Sequence, residues 1–151
     1  MTRYKFLLDK GLVLPTSFFL ILLINCIASL KACDHDNTNS LKLSEKLTVA
    51  ERYYEEKNYN ESISLYEEII LIKPDCVEAL YMLGKSYGRL AQNSGWLKAI
   101  NYAKKTRKAF EKAHNLNPAS EEIKRDLIEF YREAPRFLGG SNKKAQILMA
   151  K

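Results

Sequence analysis

Few side chains in this chain have types and spacing suited to chemistry. Its nitrogen and sulfur ligands or nucleophiles are His35, His114, Cys26, Cys33 and Cys76. Cys33-Asp34-His35-Asp36 is a run of metal-ligand types, but one cluster without a second half does not complete a coordination shell. Glu55-Glu56, Glu67-Glu68 and Glu121-Glu122 are paired carboxylates of the kind acid–base catalysis uses, yet on helices they read as solvated charges. His114, near a helix end, suits the negative pole of the helix dipole. Gly139-Gly140-Ser141 beside Arg136 could cradle an anion through backbone N–H groups. No Lys-Ser or Lys-Thr follows, as a phosphate loop requires, and a positive-φ turn capped by Ser141 accounts for the same residues. No Ser/His/Asp or Cys/His arrangement can be assembled. The expectation is a protein that binds, with no enzyme activity, no metal and no cofactor.

The elements that position its side chains repeat. Tyr53 and Tyr87 stand 34 residues apart, and Val49-Ala50-x-x-Tyr53 becomes Leu83-Gly84-x-x-Tyr87. Tyr66 and Ile69 lead to Pro74 as Phe110 and Ala113 lead to Pro118. A small residue at Ala50 or Gly84 lets two antiparallel helices approach closely, with a tyrosine one turn on. Each proline lacks the N–H a continuing helix needs and closes its hairpin. Helices are predicted over about Ser44–Lys57, Glu61–Ile72, Cys76–Gln92 and Trp96–Asn115, with Asn60 fitting as a helix cap. A third unit opens at Glu121-Glu122 and carries Asp126-Leu127-Ile128-x-x-Tyr131. From Tyr87 to Phe110 the interval is 23 residues where Tyr53–Tyr66 has 13, so the helix from Trp96 is about three turns longer than its counterpart. One face of it holds Lys98, Lys104, Lys105, Arg107, Lys108 and Lys112 against Glu111. An acidic partner, anionic lipid headgroups, nucleic acid (disfavoured by export) and a merely solvated face are the readings open for it.

A 34-residue period of large-small-x-x-aromatic, aromatic-x-x-apolar and proline resembles the tetratricopeptide repeat (TPR) family over about residues 43–151. The resemblance implies an all-α fold, a short solenoid of about three helical hairpins. In that family the first helix of each hairpin lines a concave surface. Carried over, the lining is Leu47, Glu51, Tyr54, Tyr81, Lys85, Arg89, Arg125, Glu129 and Arg132, a mixture of aromatic and Arg residues typical of binding hot spots. Members that clamp a peptide's C-terminal carboxylate use a Lys/Asn set in the first repeats, and Leu47 and Glu51 replace it here. The implied partner is a protein or peptide. Ile147, Leu148 and Met149 on the last helix must pack back on the domain or self-associate with another copy. The Ala134-Pro135-x-x-x-Gly139-Gly140-Ser141-x-x-Lys144-Ala145 segment, with the long helix, resembles a group of exported bacterial TPR proteins.

The N-terminus points the same way. Residues 11–30 carry no charge, and Arg3, Lys5 and Lys10 precede them against Asp9. A basic start before an apolar stretch of that length reads as a signal peptide or signal-anchor over 1–32, which puts the rest outside the cytoplasm. Leu30-Lys31-Ala32-Cys33 resembles a bacterial lipobox, with Lys31 departing from it. Lipidation of Cys33, cleavage after Ala28 or Ala32, and a retained anchor stay open. Residues 33–42 read as a polar tether and 43–151 as the domain. The leader removes four of 24 basic and one of 18 acidic residues, leaving 20 against 17, which is not a nucleic-acid-binding composition. Cys76 is expected to pack as a small apolar residue, and a Cys33–Cys76 bridge is conceivable only with Cys33 unmodified. The expectation is an exported, membrane-tethered adaptor of the periplasm or cell envelope that binds a protein in its groove. The alternative is an accessory component of solute transport or envelope assembly.

Overall fold

The computed structural model describes residues 40–150, so the leader, Cys33 and the first part of the tether lie outside it. Among the described residues all regular structure is helical: α1 (40–55), α2 (Tyr59–Ile72), α3 (Val77–Gln92), α4 (Trp96–Leu116), α5 (Glu121–Glu133), a 3-10 turn (Arg136–Leu138) and α6 (Asn142–Met149). Leu43–Lys151 is one compact unit. No helix among the described residues is long and apolar enough to cross a membrane.

Helices pack on their chain neighbours, α2 on α3, α3 on α4, α4 on α5 and α5 on α6. α3 is apolar on two sides and is shared by two cores. Ala79, Leu83 and Tyr87, one turn apart, join Ala50, Ile63, Tyr66, Ile69 and Cys76. Leu80 and Tyr81 join Phe110, Ala113, Ile123, Leu127, Tyr131 and Ala145. Small residues set the spacing. A Cβ on Gly84 would stand 2.5 Å from Phe110 Cδ1, so the bare backbone is what admits the ring. Ser62 and Ser86 meet in a buried hydroxyl pair at 3.2 Å between α2 and α3.

The repeat tyrosines are tied as well as buried. Tyr87 donates to Glu67, and Tyr131 donates to Glu111 at 2.7 Å, each reaching back to the preceding helix from the same position in its unit. Lys105 lies over the Tyr87 ring and Lys144 over the Tyr131 ring. Glu67 is therefore not the purely solvated charge its sequence context suggests; Glu68 pairs with Lys46 at 2.7 Å. Tyr53 is only half buried, because α1 has no helix packed before it among the described residues.

One expected helix cap shifts, and the Gly-Gly loop follows the turn-and-cap reading. α2 begins at Tyr59, with Asn58 rather than Asn60 at the cap position. Lys57 turns the chain in a left-handed conformation at φ 62°, and Asn58 N–H already closes back on Tyr53 O at 2.8 Å. The Gly-Gly loop uses its own donors. Gly139 is left-handed at φ 101°, and the N–H groups of Gly139, Gly140 and Ser141 bond to Arg136, Pro135 and Tyr131 carbonyls. A Cβ on Gly140 would overlap the Ala134 carbonyl oxygen. Ser141 caps α6 by accepting from Lys144 N–H at 3.3 Å, so the loop has no nest left for an anion.

Candidate functional site

A groove of about 410 Å³ opens between α3 and α5, with α4 as its floor and Tyr54 at one end. On α3, Tyr81, Lys85, Gly88, Arg89 and Gln92 share one face by helical spacing. On α5, Glu122, Asp126, Glu129 and Glu133 fall at intervals of four, three and four, which makes a continuous acidic stripe along the opposite wall. Thr106 and Phe110 form the floor, and Phe130 and Arg125 complete the α5 side.

The cations of the groove are already engaged. Lys85 Nζ lies 5.6 and 5.2 Å from the Tyr54 and Tyr81 ring centroids and 3.9 Å from Glu122. Arg89 donates to the Tyr54 hydroxyl and to Gln92, both at 3.4 Å. Arg125 pairs with the neighbouring Asp126 at 3.6 Å. Tyr81 reaches across to donate to Asp126 at 2.6 Å, and burial, with the Asp126 and Glu122 carboxylates, pushes its hydroxyl pKa well above the ordinary tyrosine value. Glu129 and Glu133 are exposed and pair with no described residue. Thr106 Oγ1 is buried without a hydrogen-bond partner among the described residues. The unspent polar capacity of the groove is thus a pair of carboxylates and one hydroxyl, above aromatic rings.

Of the residues carried over from the repeat pattern, Tyr54, Tyr81, Lys85, Arg89, Arg125 and Glu129 come together here. Leu47, Glu51 and Arg132 do not. Leu47 packs on the core between α1, α2 and α3, and Glu51 lies exposed outside the groove. Only the last turn of α1 reaches the concavity. Arg132 lies outside this groove, lining one hollow with Arg125, Ile128, Glu129 and Glu133 of α5 and another beside Asn142 and Ala145 of α6. Phe110, Asp126, Glu122 and Glu133 were not foreseen as lining, although the spacing of the α5 acids is visible in the sequence.

A second hollow of about 320 Å³ lies between α4, α5 and α6, lined by Glu111, His114, Leu127, Tyr131, Lys144, Ile147 and Leu148. Burial pushes the Glu111 pKa up, but the Tyr131 hydrogen bond and the Arg107 and Lys144 charges together outweigh it, holding the carboxyl below its usual range. His114 Nδ1 is buried with no hydrogen-bond partner among the described residues. Leu148 packs on the core, while Ile147 and Met149 stay exposed.

The family model for the plant-specific mitochondrial import receptor subunit TOM20 matches residues 33–150, most of the chain. The chain belongs to this family. No curated protein matches it. Membership of the TOM20 family corrects the sequence-level assignment to exported bacterial TPR proteins. With it fall the signal peptide, the lipidation of Cys33, the periplasmic or envelope location, and the extracytoplasmic adaptor with its transport or envelope-assembly alternative. Those readings rested on a leader, a four-residue motif and the Ala134–Ala145 segment with the long helix, patterns short enough to recur by composition. The family match instead rests on the helical domain itself. A protein or peptide partner remains the class of ligand that fits a receptor.

Proposed function

We propose that this chain is a mitochondrial import receptor subunit whose α3–α5 groove receives the targeting segment of proteins bound for the organelle. Its helices act as a TPR-type solenoid of about three hairpins, and it works by binding, with no enzymatic step. A receptor must meet its cargo before the cargo crosses, so the domain faces the compartment from which imported chains arrive.

Mitochondrial targeting segments are amphipathic, Arg-rich and poor in acidic residues. Such a helix needs a partly apolar seat for one face and carboxylates for the other. Tyr54, Tyr81, Phe110 and Phe130 supply the first. The acidic stripe of α5 supplies the second, and this is the observation that carries the reading. Lys85, Arg89 and Arg125 are held by rings and by Glu122, Tyr54, Gln92 and Asp126, whereas Glu129 and Glu133 are not paired with described residues. Four carboxylates (Glu122, Asp126, Glu129, Glu133) line the groove against three cations (Lys85, Arg89, Arg125), so four less three leaves one net negative charge for a ligand.

Fluorescence anisotropy with a labelled Arg-rich amphipathic peptide tests this. Glu129→Lys/Glu133→Lys should weaken binding by roughly tenfold or more at low salt, with the effect shrinking as salt rises, because both positions are at the exposed rim. Unchanged binding by that variant, or binding lost instead through Lys85→Gln/Arg89→Gln, would sink the proposal.

A further inference from the structure

α4 has 21 residues where α2 has 14, and its fully buried residues begin only at Thr106. Trp96, Leu97 and Lys98 are successive residues pointing in different directions around the helix, and all three are exposed. Trp96 is 73% and Leu97 63% accessible, two adjacent large apolar side chains left in water, as Leu71 and Ile72 are at the end of α2. Farther along, Lys104, Lys108 and Lys112 are exposed and make no ion pair with a described residue. Lys105 is spent on the Tyr87 hydroxyl at 2.9 Å. Glu111, the one carboxylate of α4, is turned to the α5–α6 side and occupied by Arg107, Tyr131 and Lys144.

At 100° per residue, Leu97, Lys104 and Lys108 fall on one line, opposite Thr106 and Phe110, which floor the groove. The basic stripe and the groove thus lie on opposite faces of one helix.

We propose that the outer face of α4, the line of Leu97, Lys104 and Lys108 with Lys112 beside it and Trp96 on the flank of the first turn, docks the domain on an anionic membrane surface. An acidic protein would satisfy the lysines but would need an apolar patch of its own for Trp96 and Leu97. A bilayer interface satisfies both, since tryptophan settles at the headgroup level and each nearby lysine is attracted by anionic lipid. Docked this way, the groove opens away from the membrane. The inference stands on the α4 geometry and does not require the groove to bind a targeting segment.

Trp96 is the chain's single tryptophan, so its emission reads the first turn of α4, where the proposed face begins. The full chain is titrated with neutral phosphatidylcholine vesicles and with vesicles containing about a third phosphatidylserine. The expected result is a blue shift of Trp96, and quenching by bromine-labelled lipid, only with the anionic vesicles and reversed by salt. Lys104→Gln/Lys108→Gln/Lys112→Gln should lower partitioning on the order of a hundredfold, and Leu97→Ser roughly tenfold. Both variants should keep wild-type helical content and unchanged affinity for the peptide used on the groove. An unshifted Trp96, or a shift indifferent to the three lysines, overturns the proposal. A shift produced by polyglutamate and not by vesicles overturns it too, and assigns the face to an acidic protein.

Discussion

Gly84 and Gly88 lie one turn apart on α3 and make opposite predictions. In an open helix interior, replacing glycine by alanine stabilises by about 1 kcal/mol. A Cβ on Gly88 meets only Thr106 Cγ2 and Oγ1 at 3.8 Å, ordinary contact, so Gly88→Ala should be more stable than the parent by about that amount. At Gly84 the new methyl would stand 2.5 and 2.6 Å from Phe110 Cδ1 and Cε1 and 3.3 Å from Ala109 Cβ. Phe110 is buried and lies against Tyr81 at 5.7 Å between centroids, so the ring can yield only by giving up that contact and moving into the groove. Overpacking of this kind costs about 1–3 kcal/mol, which exceeds the propensity gain. Gly84→Ala should be destabilised by up to about 2 kcal/mol, and the two variants should differ by about 1–3 kcal/mol. Urea unfolding followed by circular dichroism at 222 nm gives both values on one scale. Because Phe110 floors the groove, Gly84→Ala should also weaken peptide binding. A Gly84→Ala protein as stable as Gly88→Ala would refute the close approach of α3 and α4 on which the groove depends.

Two pH effects follow from the tyrosine–carboxylate ties. The Glu111 pKa is depressed in the folded state, so its contribution is present above the unfolded carboxyl value of about 4.3 and is lost as pH falls through the folded one. Glu111→Gln should cost about 1–2 kcal/mol at neutral pH, with the gap to wild type closing below about pH 4; a gap constant with pH would contradict the assignment. Tyr66, Tyr81, Tyr87 and Tyr131 are pushed above their ordinary value of 10.0, by burial first and then by nearby carboxylates. Stability they contribute is complete below that value and falls as pH rises beyond it. Absorbance at 295 nm should show part of the nine tyrosines ionising only as helical signal is lost, whereas uniform titration near 10 with helices intact would be contrary.

The seam of the fold was legible because each position there obeys one rule. Ala50, Tyr66, Ile69, Gly84, Tyr87, Phe110, Ala113, Leu127 and Tyr131 recur at the repeat's spacing, and all are buried. Cys76 packs as a small apolar side chain, free and buried, for the same reason. The groove was legible only where α3 and α5 form it. Leu47 and Glu51 were misplaced because helix register says which face a residue occupies, not whether a neighbouring hairpin is close enough to make that face a wall. The Tyr87–Glu67 and Tyr131–Glu111 ties escaped notice since they join residues 20 apart, beyond any single-helix periodicity. The leader misled most. A basic start, an apolar run and a cysteine after a small residue can be read as export, but a targeting pattern states nothing about the domain that follows it.

The central claim is that ligands enter between α3 and α5 against the acidic stripe. Amide shift mapping by NMR, with an unlabelled Arg-rich amphipathic peptide titrated into labelled protein, addresses it directly. Shifts should concentrate at Tyr81, Lys85, Gly88, Arg89, Asp126, Glu129 and Phe130, with the outer face of α4 unmoved. Shifts gathered instead around Glu111, His114 and Ile147, in the hollow beside α6, would contradict it.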